Sequence, residues 1–571
     1  MTSATAEPPS SPPSAWPCCD HGTTAEDPVG CRGICVPGHT ACLAHLTAND
    51  RTDYLTRLGP GADIDHRGTP FSEDLLAQLL VALHDPATGR PRLGQARFDG
   101  ATFTDAAWFE EATFDNVSFR TATFTGTAGF VRATFTGEAE FDWVTFNSVA
   151  SFGGANFTGD AWFRMATFSG PVQFPGTTFA SNATFSGARF KSAPWLGPLA
   201  CGSEMRLDLA VFEAPITMAI ATRRLSLRRT RWASSAALRL RYAQIDLAGA
   251  VMEYPVTVAA EQIPFTGLEA DMLSEEVLAS QDSGVRVVNL SGVDAAHLAL
   301  TDIDLSECRF AGAVHLDQLH MDGRTAFAHP PIGWHRRGLL PLRWSRRRTL
   351  AEEHHWRAHR AHQPTSLTGQ PPSLRNWRTG PHHPDPNLTP GPEDTAALYR
   401  QLRKAFEDAK NEPGAADFYY GEMEMRRHDH VGTTPGERKL LWGYWLLSGY
   451  GLRASRALGW LAAAMLVTVV LLMGFGLPKD SPKLEAIGTM PRDGGKVSFE
   501  LEKADPQNPT ERRFTSERFE KALNVTLNSV VFRSSGQDLT TAGTYIEMAS
   551  RVSEPILLGL AFLAVRNRVR R

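Results

Sequence analysis

Five of the seven cysteines fall between Cys18 and Cys42, with His21, His39 and His45 among or just beyond them. Thiolate sulfur and imidazole nitrogen are the ligands of structural zinc, and a short spacing lets one turn aim two of them at a single ion. Cys31-x3-Cys35 and Cys42-x2-His45 have such spacings, so the candidate set is Cys19, Cys31, Cys35 and Cys42, with His45 as a substitute. No Cys-x2-Cys pair occurs, and unliganded thiols stay open as the alternative. Nothing nearby offers a general base, so a bound ion is expected to be structural. The first residues carry neither a basic n-region nor an apolar h-region, which argues against a signal peptide and favours thiols or metal over disulfides.

A second group lies near the other end. Glu547, Arg551 and Glu554 stand at i, i+4 and i+7, one helical face of an otherwise apolar stretch. Charges in a membrane are tolerated when paired, or when they face a bundle interior or a wet cavity. Elsewhere Glu352-Glu353-His354-His355 lacks the i, i+4 His pair of a zinc-protease helix. With no nucleophile–base set, phosphate loop or paired-acid motif, the chain is expected not to be an enzyme, and zinc is the one cofactor expected.

The scaffold that must carry these groups is written in phenylalanine, 31 residues against nine tyrosines. Eighteen of them recur at steps of five or six from Phe98 through Phe103, Phe109 and Phe114 to Phe190. Two positions before each sits a small or β-branched residue: Ala96, Ala101, Ala107 and on to Ala188, with Val117, Val144, Val172 and Thr177 among them. A helix needs apolar spacing near 3.6 and a flat strand needs 2, so neither produces this step. It fits a solenoid in which each repeat is one side of a roughly square coil, with Phe pointing to the axis. Stacked coils then satisfy one another's backbone at about 4.8 Å per rung. At four sides per coil the Phe-rich part makes about 4–5 coils.

This Phe-with-Ala pattern resembles the pentapeptide-repeat family, which implies a mainly β fold, a right-handed quadrilateral β-helix. Degenerate repeats follow in Ala210-Val211-Phe212 and Ile245–Ala250, and a Leu version includes Leu300, Leu305, Phe310 and Leu316. Residues 261–284 interrupt them. The domain order expected is a disordered tail 1–17, a Cys/His module 18–50, a helical cap 51–95, the Phe ladder 96–200 and degenerate repeats 201–325. A basic, Pro-rich segment 326–393, a helical hairpin with interfacial residues 394–452 and a membrane domain 453–571 complete it. Within 51–95, Ser72-Glu73-Asp74 followed by Leu75, Leu76, Leu79, Leu80 and Leu83 predicts an acid-started amphipathic helix. The basic run from His335 to Arg357 suits either anionic headgroups or a solvated helix pairing with Glu352 and Glu353.

Residues 457–477 hold no charge and are long enough to cross a ~30 Å hydrocarbon core. Trp442, Tyr444, Trp445 and Tyr450 precede them as an interfacial belt would. A second span is expected at 545–565. Arg453 and Arg456 before the first, and the Arg-rich tail after the second, place both ends in the cytoplasm. Pentapeptide-repeat proteins of bacteria with C-terminal membrane segments look similar, which implies the inner membrane. Span, pore-helix-like segment, Gly-containing loop and span is similar to the order of a two-helix potassium-channel pore, without its filter motif.

The leading expectation is a membrane-anchored scaffold, with lipid and an unidentified protein on the repeat surface as partners. The alternative is a channel-like homo-oligomer joined through the membrane segment, with a cytoplasmic sensor rod. A third, DNA mimicry against topoisomerase, comes from soluble members of the repeat family. Nine acidic against five basic residues between Ala96 and Phe190 are few for a phosphate mimic. The net charge of −4 also gives no footprint for binding nucleic acid.

Overall fold

The computed structural model describes residues 16–569 apart from 20, 24–29, 268–272, 280–281, 338–339, 364–373, 381–389, 480–483, 489–498, 504–505, 509–511, 532 and 534–535. Part of the predicted Gly-containing loop, Ser534-Ser535, therefore lies outside the described residues. The chain forms two compact units, Met1–Pro390 with Lys404–Ala409, and Gly391–Arg403 with Lys410–Arg571.

The first unit is a parallel β-solenoid of about ten turns over residues 92–322. In the Phe-rich coils most sides are strands of two or three residues, such as Thr123–Phe124 or Thr145–Phe146, with Thr facing out and Phe in, and longer strands such as Trp195–Arg206 and Ile216–Ser226 follow. One side reads Phe103, Phe124, Phe146, Phe168, Phe190, Phe212, Trp232 and Met252, each directly opposite the next. The Phe ladder and the degenerate repeats are thus one stack. Amide to carbonyl bonds of 2.8–3.0 Å, as from Thr123 to Ala101, Thr145 to Ala122 and Thr167 to Val144, join the coils.

Four columns of rings fill the axis, one for each side of the coil. Phe98, Phe119, Phe141, Phe163 and Phe185 make one. Phe109 to Phe174, Phe114 to Phe179 and Phe103 to Phe212 make the others. Small residues two places earlier are buried beside them, because nothing larger fits between rings and the neighbouring side. From the interrupting stretch, Phe265, Leu273 and Leu278 pack on Ala200, Ala219 and Ala221 of the coil wall.

Both ends of the stack are closed. At the N-terminal end stand helices α1 (Ala48–Thr56) and α2 (Glu73–Ala82), the latter capped by Ser72 and burying Leu75, Leu76, Leu79 and Leu80. His66 lies fully buried there, edge-on to Tyr54 and Phe71. At the other end α3 (Ala351–Arg360) supplies Glu352, whose Oε1 accepts the N–H groups of Phe310 and Ala311 that no further coil would meet. The basic run does not stay in solvent: Arg347 and Arg357 are buried and ion-paired with the fully buried Glu353 at 2.6 and 2.7 Å.

The second unit is helical. α4 (Pro392–Asp408) contributes Arg400 and Arg403, both ion-paired with Glu422 of α5 (Glu412–His428). α6 (Pro435–Ser448) packs Leu441 on Tyr420, Met423 and Tyr450. α7 (Ala454–Leu471) ends in a π-helical turn, Leu472–Gly476. An antiparallel hairpin of Leu484–Gly488 and Phe499–Lys503 follows. Then come α8 (Ser516–Val530) and α9 (Thr541–Val569).

Two consequences follow for stability. Phe141, stacked at 5.1 and 4.7 Å on its column neighbours, is fully buried. Phe141→Ala should cost about 3–5 kcal/mol in urea denaturation, against less than about 0.5 kcal/mol for the outward Thr145→Ala. Burial, partly offset by Asp65, lowers His66 from 6.5 to about 4. Because its folded pKa is depressed, the unfolded chain binds the extra proton between those values, and stability is lost as pH falls. From pH 7 to pH 5 the wild type should lose about 2 kcal/mol more than His66→Phe, measured by urea midpoints at both pH values.

Candidate functional site

The Cys/His module is folded by short turns. Cys19 N–H donates to the Gly33 carbonyl at 2.7 Å, laying the two chain segments side by side, and Ile34 N–H donates to Arg67 O of the first coil. Gly33 is required by contact, since a Cβ there would lie 2.7 Å from that of Cys42. A 3-10 turn, Leu43–His45, begins at Cys42 and presents Cys42 and His45 from one side. The result brings Cys19, Cys31, Cys42 and His45 together, with ligand atoms all within 4.8 Å of one another.

Three of the six ligand–ligand distances match those set by a single tetrahedral ion. Two sulfurs each ~2.3 Å from zinc stand roughly 3.8 Å apart, and a sulfur and an imidazole nitrogen roughly 3.5 Å apart. Cys31 Sγ and Cys42 Sγ are 3.8 Å apart, and His45 Nδ1 is 3.5 Å from Cys19 Sγ and 3.3 Å from Cys42 Sγ. Gly33 N–H reaches Cys31 Sγ at 3.4 Å, a hydrogen bond that favours the thiolate. His21 stacks on His45 at 3.9 Å. Cys35 is directed elsewhere, its Sγ donating to the carbonyls of Cys18 and Thr40. His45, named from the sequence as a substitute, therefore stands where the fourth ligand would be.

Electrostatics agree with a site that needs a cation. Burial first, then the neighbouring thiols Cys31 and Cys19, pushes Cys42 up to about 12, and burial raises Cys31 too. Burial, His21 and Arg51 lower His45, which keeps its ring neutral and able to donate a lone pair. A divalent ion would displace the thiol protons and close the site. Cys19, Cys31, Cys42 and His45 can thus hold a structural zinc ion.

The other group lies in the second unit. α7 and α9 run antiparallel, because Gly476 at the end of α7 touches Gly543 at the start of α9, while Thr468 meets Glu554. A Cβ on Gly543 would lie 2.3 Å from the Gly476 carbonyl oxygen, so two glycines let the backbones meet. Thr540 Oγ1 donates to Phe475 O at 2.7 Å. Arg518 of α8 donates to the carbonyls of Met473, Leu477 and Pro478 at 2.8–2.9 Å, satisfying the end of the first apolar helix. Glu547 and Arg551 pair with each other at 2.9 Å, and Glu554 is fully buried, accepting or donating at Thr468 Oγ1. Arg518 and Thr468 escaped the sequence reading. Thr468 is uncharged within an apolar run, and nothing in its spacing points to a residue 86 positions away.

Ala454–Gly476 and Thr541–Arg566 are long and apolar enough to cross a membrane. At 1.5 Å per residue their 23 and 26 residues reach about 34 and 39 Å, against a ~30 Å hydrocarbon core.

The metal assignment makes a residue-specific prediction. Purified full-length protein should contain one zinc per chain by elemental mass spectrometry. Cys42→Ser and His45→Ala should lose it, whereas Cys35→Ser should keep it. Equal loss in Cys35→Ser would return Cys35 to the ligand set.

Among known families, the one described as Pentapeptide repeats (9 copies) matches residues 91–134, 121–164 and 152–195. No curated protein and no solved structure matches the chain. The family match coincides with the stretch where the Phe columns are complete, and residues 91–195 of this chain are pentapeptide repeats wound as a β-solenoid.

Proposed function

We propose that the protein is a non-enzymatic scaffold anchored in a membrane by α7 and α9, with its solenoid in the cytoplasm as a rigid lateral surface for a protein partner. The observation that carries this reading is the exposure of the two apolar helices. Only 33% of the apolar window of the first and 22% of the second are buried. A core helix of a water-soluble protein hides its apolar side chains, whereas Leu466, Val467, Phe475, Val552, Ile556 and Phe562 face outward. Lipid is the environment in which those faces cost nothing.

The charge distribution supports the orientation. Because the helices are antiparallel, Arg453 and Arg456 at the start of α7 and Arg566 at the far end of α9 belong to one end of the pair. Basic residues favour the cytoplasmic side. At the same end, Trp445 of α6 receives Arg456 through its carbonyl and stacks under that guanidinium at 5.1 Å, and Trp442 is half exposed. An aromatic and arginine-rich collar of this kind suits the headgroup region.

The ionisable residues inside the apolar windows favour the channel-like reading as the second. One experiment separates the two. Full-length protein should stay with membranes after alkaline carbonate washing, and a chain ending after Arg453 should be released. Liposomes carrying the full-length protein should show no ion flux above empty ones. Flux abolished when Glu547, Arg551 and Glu554 are neutralised together would replace the anchor with a pore, and carbonate release of the full chain would remove the membrane from the account.

A further inference from the structure

Glu554 is a buried ionisable residue of the apolar helices whose chemistry the anchor does not use. Its side chain is fully buried, and its Oε1 lies 2.9 Å from Thr468 Oγ1. The same hydroxyl lies 3.0 Å from the carbonyl oxygen of Ala464, one turn back on α7. Among the described residues, Glu554 Oε2 has no hydrogen-bond partner. Thr468 owns a single hydrogen and faces two acceptors, so one of the two short contacts needs a hydrogen from elsewhere. A carboxylic acid at Glu554 supplies it: Glu554 O–H donates to Thr468, and Thr468 O–H donates to Ala464. An ionised Glu554 would leave one contact without a hydrogen and a buried charge with a single bond.

No cation stands by to favour the ionised form. On α9 itself, Arg551 is committed to Glu547 at 2.9 Å. Ser550 uses its hydroxyl on the Glu547 carbonyl. On α7 the nearest cation in sequence is Arg456, bonded to Trp445 O. α8 contributes Arg518, spent on backbone carbonyls, and Lys521, paired with Glu517; Glu520 is exposed. α6 contributes Glu437, paired with Arg426, Arg438, bonded to the Asp429 and Thr433 carbonyls, and Lys439 near its start. Among the described residues, none of these lies within 4.0 Å of the Glu554 carboxyl.

We propose that Glu554 and Thr468 form a proton-binding site between the two membrane helices, in which Glu554 is held as a neutral carboxylic acid. The inference rests on the membrane reading for its surroundings and on the hydrogen count for its protonation. Release of the proton breaks the Glu554 O–H bond, sends the proton to water and leaves a carboxylate facing an apolar helix. No electron moves. Alkaline conditions therefore set a charge against the α7–α9 contact, while neutral conditions keep it closed.

Infrared difference spectroscopy of the full-length protein in liposomes tests this directly. At neutral pH the wild type should show a protonated-carboxyl C=O band that shifts in heavy water and is absent in Glu554→Gln. In Thr468→Val the band should move to higher frequency, because the acid loses its hydrogen-bond partner. Glu554→Gln keeps a neutral donor at the same place, so its thermal midpoint should equal that of the wild type at neutral pH and exceed it at alkaline pH. A wild type without the band at neutral pH, or a band that survives in Glu554→Gln, overturns the proposal. Carbonate washing of the same membranes keeps the two readings apart. Retained protein lacking the band refutes the proton site alone, and released protein showing it refutes the membrane alone.

Discussion

No coil of this solenoid can stand without its neighbours. In the Phe-rich coils most sides are strands of two or three residues, each too short to pair stably in isolation. The central rings would face water above and below. Stacking solves both problems at once, since each ring meets the next at 4.3–5.2 Å and each amide finds the carbonyl one coil away. The residue two places before each Phe must then be small, and the residue just before it can be polar. Cooperative stacking of this kind makes the interior uniform and the two ends the places where chemistry has to change.

The candidate metal ligands and the buried Glu352–Glu353 cluster of the first unit stand at its ends. At the N-terminal end, the Cys/His module hangs from the first coil through Ile34 and Arg67. Its four ligands close a structure with few apolar contacts of its own, and an ion there would do what a core does in a larger domain. At the C-terminal end the work is done by carboxylates. Glu352 meets two N–H groups of the last coil, and Glu353 ties Arg347 to Arg357. Burying that triad is costly, and removing Glu353 would leave two buried cations without their counter-charge. The basic run that reads as a surface feature is therefore partly an interior one.

The period of the Phe ladder was legible because a five-to-six step has only one geometric reading. The same argument carried through the degenerate repeats, where Phe212, Trp232 and Met252 continue the column despite losing the pattern. The metal cluster was legible as a set of residue types and less so as a ligand list. Cys31 and Cys35 look like a pair by spacing, but the turn between them sends Cys35 towards the carbonyls of Cys18 and Thr40. The Cys42–His45 pair is set by a 3-10 turn, whose three-residue repeat puts i and i+3 on one side. Contacts between distant segments, such as Thr468 with Glu554 or Arg518 with the end of α7, have no local signature, so only the folded chain reveals them.

On the proposed membrane reading, the helix pair obeys a different rule from the solenoid. In lipid, apolar surface supplies no drive for two helices to meet, so association must come from close packing and from polar contacts. This pair has each of these at a separate height. Gly476 against Gly543 gives backbone contact at one end, with Thr540 and Arg518 satisfying carbonyls that the turn leaves open. Eight residues back along α7, Thr468 meets Glu554 and fixes the register of the two helices. Most of both apolar windows is exposed, and Thr468 with Glu554 joins the two helices through side chains, a contact that on the proposed protonation is complete only while the carboxyl keeps its proton. The solenoid is stabilised by repetition and tolerates the loss of pattern along its length. The helix pair carries no repeat, so its glycine and polar contacts are set residue by residue.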